Sequence, residues 1–423
     1  MQDALTSNVQ SSIRPGDEKD TYYYGDTNSS KQVFNNVVNT RFVQNFTNPA
    51  AGTSQFTISP FQGISDVILA FTLGGAYTGG GSTPASLPQG WGYSMIQQVS
   101  VRYGSSAQYF FTGQQLYLQN LLDCENGTKR DALAAFGGVA YSGTAIPATG
   151  AQAYCYLNLP HNSPRADGKP LPFPSDLLVQ PIIITVQLND PGAQVSAGGI
   201  WVPGVSGGLQ TIPGPLAFAQ MQVKQEMMAD SADLLARRVD MNTHAYTFPL
   251  KYFPQQMVSI NLASSADVQT VNLTGFRAGE VQKILLFLTK RSSVNANGNL
   301  YWSPITEVQL TYNGEVFYRA PGSASPLWNL IQDTKTGAVS QPSIGDTPGV
   351  FVADNSVWVD MPFSQVNVAG DKDILLVGGK PILNAVVNLS LLTPTAAADY
   401  TLNCVYFYNA SLLCSRGGAE YIF

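Results

Sequence analysis

The sequence repeats a series of strand-like segments in its two halves, and this repetition favours folds made of two similar parts. Four segments of the first half recur in the same order in the second. The distance between copies falls from 209 to 202 to 200 residues over the last three pairs, which indicates shorter loops in the second copy. The repetition therefore predicts two similar β domains in tandem. The four pairs are residues 67–71 with 284–288, 96–103 with 305–312, 156–160 with 358–362, and 181–183 with 381–383.

Apolar and polar residues alternate along most of these segments. Val99, Val101 and Tyr103 are expected to share one face of a strand, and Ala153 and Cys155 one face of another. Strands of this kind bury one face and expose the other, as in antiparallel sandwiches. Only 12% of the residues are charged, whereas 39 glycines and 26 prolines supply turns, so the composition favours many strands over long solvated helices.

Four segments depart from the strand pattern. Leucines at three- and four-residue spacing predict helices at 114–123 and 129–136, between strands of the first copy. An apolar stripe predicts a further helix from about residue 226 to 239, at the junction between the copies. Residues 1–33 are polar and have no clear period, so we expect an extended arm there.

The side chains predict no catalytic, cofactor-binding or metal-binding residues. A net charge of −6 argues against a free-standing nucleic-acid binder, because phosphate binding needs clustered Lys and Arg. Of the two histidines, His161 lies in a polar loop and is expected at the surface, while His244 has no motif around it. The cysteines lack the spacing of metal ligands and are expected to be buried thiols: Cys124, Cys155, Cys404 and Cys414.

Three further stretches are distinctive. Residues 157–160, LNLP, are followed by a loop and a strongly apolar strand at 177–188. A helical insert at 112–138 ends in glycine, and the C-terminal part reads YNASLL at 408–413 and then RGGA at 416–419. Together these stretches resemble the double jelly-roll major capsid proteins of tectivirus-like phages and nucleocytoplasmic large DNA viruses.

The resemblance implies an all-β chain of two tandem eight-stranded antiparallel jelly rolls with short helical insertions. The implied division is an N-terminal arm at 1–33, a first jelly roll at 34–225, a linking helix at 226–242, a second jelly roll at 243–412, and a C-terminal tail at 413–423.

The implied function is that of a major capsid protein of a DNA virus, which forms homotrimeric, pseudo-hexameric capsomers of an icosahedral shell and performs no catalysis. The implied partners are other copies of the chain, neighbouring capsomers, other capsid proteins such as a penton protein, and an internal viral membrane surface, without sequence-specific nucleic-acid binding.

The chain shows no apolar leader and no apolar run of about 18 residues, so we expect synthesis in the host cytoplasm, no secretion, and a final location in the virion.

Several segments are candidates for surfaces of such a shell. Loops at 74–90, 190–215 and 292–304 are candidates for the outer surface. The arm and the tail are expected to lie on the inner side or to bridge neighbours. For the apolar end of the tail, Tyr421 to Phe423, packing within the chain is an equal alternative.

A rival interpretation comes from another class of protein. Two tandem jelly rolls also occur in carbohydrate-active or glycan-amide hydrolases and in lectin-like binding proteins. A hydrolase of this kind needs a pair of carboxylates about 5 to 10 Å apart in an aromatic-lined cleft. Acidic pairs such as Asp371 and Asp373 lie in polar, turn-like sequence, so the sequence favours the capsid interpretation.

Overall fold

The computed structural model describes strands in both halves of the chain and helices in the first half. The described residues are 39–46, 52–60, 63–73, 85–87, 90–122, 132, 135–138, 141–143, 151–161, 173, 175, 178–189, 216–226, 245–254, 258–261, 268–273, 279–290, 305–312, 315–321, 356–360, 375–377, 383–389, 400–416 and 418–422.

The first half forms two four-stranded antiparallel sheets with the orders β1-β10-β3-β8 and β2-β9-β5-β6, and a small β4-β7 pair. With β4 and β7 set aside, the eight remaining strands in chain order pair as 1-8-3-6 and 2-7-4-5, which is the jelly-roll arrangement. The strands are β1 Asn39–Asn45, β2 Gly52–Ile58, β3 Gly63–Leu73, β4 Ala85–Leu87, β5 Ile96–Tyr103, β6 Tyr109–Phe111, β7 Tyr141–Gly143, β8 Gln152–Tyr156, β9 Ile182–Leu188 and β10 Leu216–Glu226.

The second half repeats this order as β11-β20-β14-β17 and β13-β19-β15-β16. Three extra strands extend its first sheet, because β12 and β21 pair with β20 and β18 pairs with β14. The strands are β11 Tyr246–Pro254, β12 Val258–Asn261, β13 Val268–Leu273, β14 Gly279–Lys290, β15 Ile305–Tyr312, β16 Glu315–Pro321, β17 Ser356–Asp360, β18 Leu375–Val377, β19 Leu383–Leu389, β20 Tyr400–Ser415 and β21 Gly418–Ile422.

The two halves also share two irregularities of their strands. Strand β5 has one extra residue between Ile96 and Gln98 opposite β9, and β15 has one between Ile305 and Glu307 opposite β19. Strands β3 and β14 likewise each have one extra residue at matching places opposite β10 and β20. Because a bulge fixes the register of a strand, the shared bulges confirm two copies of one plan.

The described parts of all four segment pairs overlap equivalent strands: β3 and β14, β5 and β15, β8 and β17, β9 and β19. The predicted alignment of residues 181–183 with 381–383 was wrong by one residue. Tyr103 pairs with Ile182, and Tyr312 pairs with Leu383, so the β9 and β19 positions differ by 201 residues and not by 200. A shift of one residue would exchange the two faces of a strand, so the cross-strand partners are the more reliable guide.

The predicted core faces of the first jelly roll are confirmed. Val99, Val101 and Tyr103 are fully buried, and so are Ala153 and Cys155 on β8. Strand β9 alternates strictly between buried and half-buried residues, as expected for a strand with one face in a sandwich core.

The helices were predicted in part. The helix predicted at 114–123 is found as α2, Gly113–Leu122, and a four-residue helix that was not predicted, α1, spans Trp91–Ser94. Of the helix predicted at 129–136, the described residues 132, 135 and 136 are helical. Among the described residues, no helix is long and apolar enough to cross a membrane.

Some predictions fall outside the described residues: the arm at 1–33, the linking helix after Glu226, and the loops at 190–215 and 292–304. Glu226 itself is the last residue of β10 and not the start of a helix. The predicted loop at 74–90 contains strand β4. The boundary expected at 412 falls inside β20, and residues 418–422 form β21, so most of the predicted tail belongs to the sheet.

The close packing of Gly138 against the Trp91 indole gives a test of this part of the fold. Gly138 has φ +125°, and a Cβ there would overlap the indole, whereas Gly104 has φ +57° and its nearest neighbour would lie 3.5 Å away. We expect Gly138→Ala to lower the free energy of unfolding by about 3 kcal/mol and Gly104→Ala by about 1 kcal/mol. Urea unfolding followed by tryptophan fluorescence measures both, and equal losses would contradict the proposed packing.

Candidate assembly site

The end of the β5–β6 hairpin carries two buried tyrosines. Tyr103 closes β5 and Tyr109 opens β6, and their rings stack with centroids 6.2 Å apart. The turn between them is held locally, because the Tyr103 N–H donates to Ser106 Oγ at 3.1 Å and the Ser106 N–H donates to the Tyr103 carbonyl at 2.9 Å. Gly104 supplies the left-handed conformation that this turn needs.

His161 lies beside these tyrosines and is buried, with 4% of its surface exposed, so the prediction of a surface histidine was wrong. Its Nε2 lies 3.1 Å from the Ser65 carbonyl oxygen, which can only accept, so Nε2 carries the proton. The other nitrogen, Nδ1, then accepts from the Tyr103 hydroxyl at 2.5 Å. The imidazole is thus held as one neutral tautomer, and burial lowers the pKa of His161 to about 4.

Phe173 extends the cluster towards the second jelly roll. Its ring centroid lies 5.4 Å from that of Tyr103 and 5.4 Å from that of His161. The Phe173 backbone is fixed by two hydrogen bonds with Ile64, of 2.8 and 2.6 Å. On the far side, the Phe173 ring meets the Phe248 ring of β11 edge-on at 5.6 Å.

The C-terminal hairpin β20–β21 supplies the other half of this contact. Tyr421 of β21 meets Tyr109 edge-on, with ring centroids 6.4 Å apart. The Ala419 N–H donates to Ser105 Oγ at 2.8 Å, and the Ser105 hydroxyl lies 3.4 Å from the Ala419 carbonyl oxygen. Residues 418–422 therefore pack within the chain, which was one of the two alternatives left open for the tail.

These residues join the two jelly rolls, and we refer to them as the aromatic junction: Tyr103, Tyr109, His161, Phe173, Phe248 and Tyr421. Strand β6 of the first jelly roll lies against β11 of the second at the same place. Burial raises the pKa of Tyr103, Tyr109 and Tyr421, so the phenols stay neutral at physiological pH. The junction is consequently an uncharged, aromatic contact.

A second surface lies on the outer face of the sheet β1-β10-β3-β8. Tyr154 is 37% exposed and Phe218 is 41% exposed on this face. Amides lie on the β1 and β10 part of this face, where Gln222 Nε2 donates to Gln220 Oε1 at 2.8 Å and Gln220 Nε2 donates to Asn45 Oδ1 at 3.1 Å. At these positions the face therefore presents aromatic rings and neutral amides to the solvent.

The described residues contain no group of three or more His, Cys, Asp or Glu residues placed to hold a metal ion. In the same part of the chain, the buried polar side chains include no carboxylate. Three predicted thiols are free and buried: Cys155, Cys404 and Cys414. His244 and Cys124 lie outside the described residues.

The whole chain is similar to structures of viral capsid proteins. VP54 of PBCV-1 matches with a TM-score of 0.60 and 14% sequence identity, over 92% of this chain and 97% of that chain. The Faustovirus major capsid protein matches with a TM-score of 0.57 and 9% identity, over 98% of each chain. A chain of the Sputnik virophage matches with a TM-score of 0.50 and 13% identity, over 93% of this chain and 89% of that chain.

No model of a protein family matches the sequence, and no curated protein matches it. The structural matches confirm the predicted fold class, because their fold is the double jelly roll and they extend over both halves of the chain.

The neutral state of His161 makes the stability of the fold depend on pH. The unfolded chain binds a proton at His161 below pH about 6.5, whereas the folded chain does so only below about 4, so protons favour the unfolded chain. We expect the free energy of unfolding contributed by this residue to fall by about 3 kcal/mol between pH 6.5 and pH 4. Urea unfolding at several pH values, compared with His161→Gln, measures the effect, and identical pH profiles would contradict it.

The contact of Tyr421 with Tyr109 predicts that the end of the chain stabilises the fold. We expect Tyr421→Ala to lower the free energy of unfolding by about 2 kcal/mol, because an edge-on ring contact and buried aromatic surface are lost. The neighbouring Ile422 is 36% exposed and serves as the matched control, with a smaller loss expected for Ile422→Ala. Thermal and urea unfolding compare the two variants, and an equal loss would show that the junction contact contributes little.

Proposed function

We propose that this chain is a major capsid protein that assembles into homotrimeric, pseudo-hexameric capsomers of an icosahedral viral shell. The observation that carries the proposal is that one chain contains two jelly rolls with the same order of eight core strands and two shared bulges, joined by a buried aromatic junction. Each jelly roll forms one wedge of a ring, so three such chains place six similar wedges around one axis. A trimer can therefore fill a position with six neighbours in a closed lattice.

The structural comparisons support this function over the whole length of the chain. The Faustovirus protein is a major capsid protein, and VP54 has been fitted into a reconstruction of a virophage. This chain matches at least 97% of the length of both proteins. The match therefore includes both jelly rolls and not a single shared domain.

The open sheet face also suits contact with identical neighbours. Tyr and Gln side chains such as Tyr154 and Gln220 make hydrogen bonds and apolar contacts at wet interfaces without like-charge repulsion between copies. The low share of charged residues, 12%, has the same consequence for the rest of the surface.

The proposed role is mechanical, without a catalytic step. Its partners are other copies of the chain, neighbouring capsomers, a protein at the fivefold vertices, and the surface of an internal viral membrane. The proposed location is the capsid of the virion, after synthesis in the host cytoplasm. The same proposal includes a linking helix after Glu226, the arm at 1–33 and the division into two jelly rolls near that helix.

The proposal predicts the oligomeric state of the purified chain. We expect a particle of about three times the 45.3 kDa chain, with six lobes in projection by electron microscopy. Light scattering coupled to size exclusion measures the mass over a range of concentrations. A monomer at every concentration would contradict the capsomer, as would hydrolysis of a glycan that a single Asp or Glu substitution abolishes.

A further inference from the structure

The contact between the two jelly rolls uses an edge strand from each. Strand β6 is the last strand of the sheet β2-β9-β5-β6, and β11 is the first strand of the sheet β11-β20-β14-β17. The two edges lie against each other at the aromatic junction. An edge strand has unpaired backbone groups and a lateral surface that a neighbouring element can cover.

The second jelly roll has an edge that is equivalent to β6. In the first copy Val101 pairs with Tyr109, and in the second copy Leu310 pairs with Tyr318. Since Val101 and Leu310 occupy equivalent positions 209 residues apart, Tyr318 occupies the register position of Tyr109. Tyr312 stands at the position of Tyr103 in the same way, so both tyrosines of the β5–β6 hairpin recur.

The first jelly roll has an edge that is equivalent to β11. Strand β1 pairs with β10 as β11 pairs with β20, and it begins the sheet β1-β10-β3-β8. Within the described part of the chain, β1 pairs with β10 alone and β16 pairs with β15 alone. The chain therefore contains two β6-like edges and two β11-like edges, and it uses one of each internally.

The geometry points to an intermolecular copy of the internal contact: the β15–β16 edge, at Tyr312 and Tyr318, docks onto edge strand β1 of a second copy of this chain. This inference rests on the proposed trimer and assigns its contact. Each chain then offers one donor edge and one acceptor edge, which makes the contact heterologous. Heterologous contacts form a ring when the rotation closes, and three chains of two wedges each close a ring of six.

A photo-crosslinking experiment on the full-length chain tests this contact. The photoreactive residue p-benzoylphenylalanine replaces Tyr318 in one variant and Tyr109 in a matched control, so each variant keeps an aromatic ring. From position 318 we expect crosslinks between chains, to the peptide that contains Asn39–Asn45. From position 109 we expect crosslinks within the chain, to the peptide that contains Gly418–Ile422. Gel mobility separates the two classes, and mass spectrometry maps them.

The outcomes separate this inference from the proposed function. The inference is overturned if light scattering shows a trimer but position 318 crosslinks only within the chain, or to a part of a second chain other than β1. This outcome leaves the capsid role intact. A wild-type chain that stays monomeric overturns the proposed function, and the docking contact with it.

A pair of substitutions on β16 gives a second measurement. We expect Tyr318→Ala to raise the dissociation constant of the trimer at least tenfold, while Arg319→Ala, at the next position of the same strand, changes it less. Circular dichroism and urea unfolding report whether each variant is folded. A folded Tyr318→Ala chain with an unchanged dissociation constant overturns the inference, and if that variant fails to fold, the crosslinks decide.

Discussion

The aromatic junction is the contact on which the two-domain arrangement depends. Each jelly roll has its own core, so the sandwiches are joined by what packs between them. Tyr109 against Tyr421 and Phe173 against Phe248 provide that packing, and each edge-on pair of rings contributes about 0.5–1.5 kcal/mol beyond the burial of its area. The backbone of Ala419 adds two polar contacts with Ser105, which fix the position of the tail hairpin along the first jelly roll.

A junction without charge has a physical advantage in this position. A buried ion pair would have to recover the cost of removing both charges from water, which demands nearly ideal geometry. The junction instead uses phenols, phenyl rings and one imidazole whose two nitrogens both have partners. Because burial keeps His161 neutral down to pH about 4, the contact holds its hydrogen-bond pattern over the whole physiological range.

The strand plan could be predicted from the sequence, because it depends on short-range alternation and on a repeat that both halves share. The register of the strands was harder to predict. Residues 181–183 match 381–383 by residue type, but the cross-strand partners of Tyr103 and Tyr312 show that the equivalent positions are one residue away from that match. The burial of His161 could not be predicted, because its polar neighbours along the chain are typical of a loop and its partners lie far away in sequence. The role of the tail was likewise ambiguous, since an apolar end is compatible with packing inside the chain or between chains.

The two copies differ on one face, and this difference determines the symmetry of any ring they form. Ile68 and Gln222 pair on the outer face of β3 and β10 and are half-buried, while at the equivalent positions of β14 and β20, Leu285 and Val405 pair and are fully buried. The order of the eight core strands is the same and these strands lie at equivalent places, so this difference lies in the side chains and in what covers them. The two wedges are therefore alike in shape and unlike in surface.

A ring of six wedges from three chains then repeats only at every second wedge, so its rotational symmetry is threefold, while its outline remains close to sixfold. In the proposed capsomer, that combination lets a trimer of one kind of chain meet six neighbours without requiring six identical contacts.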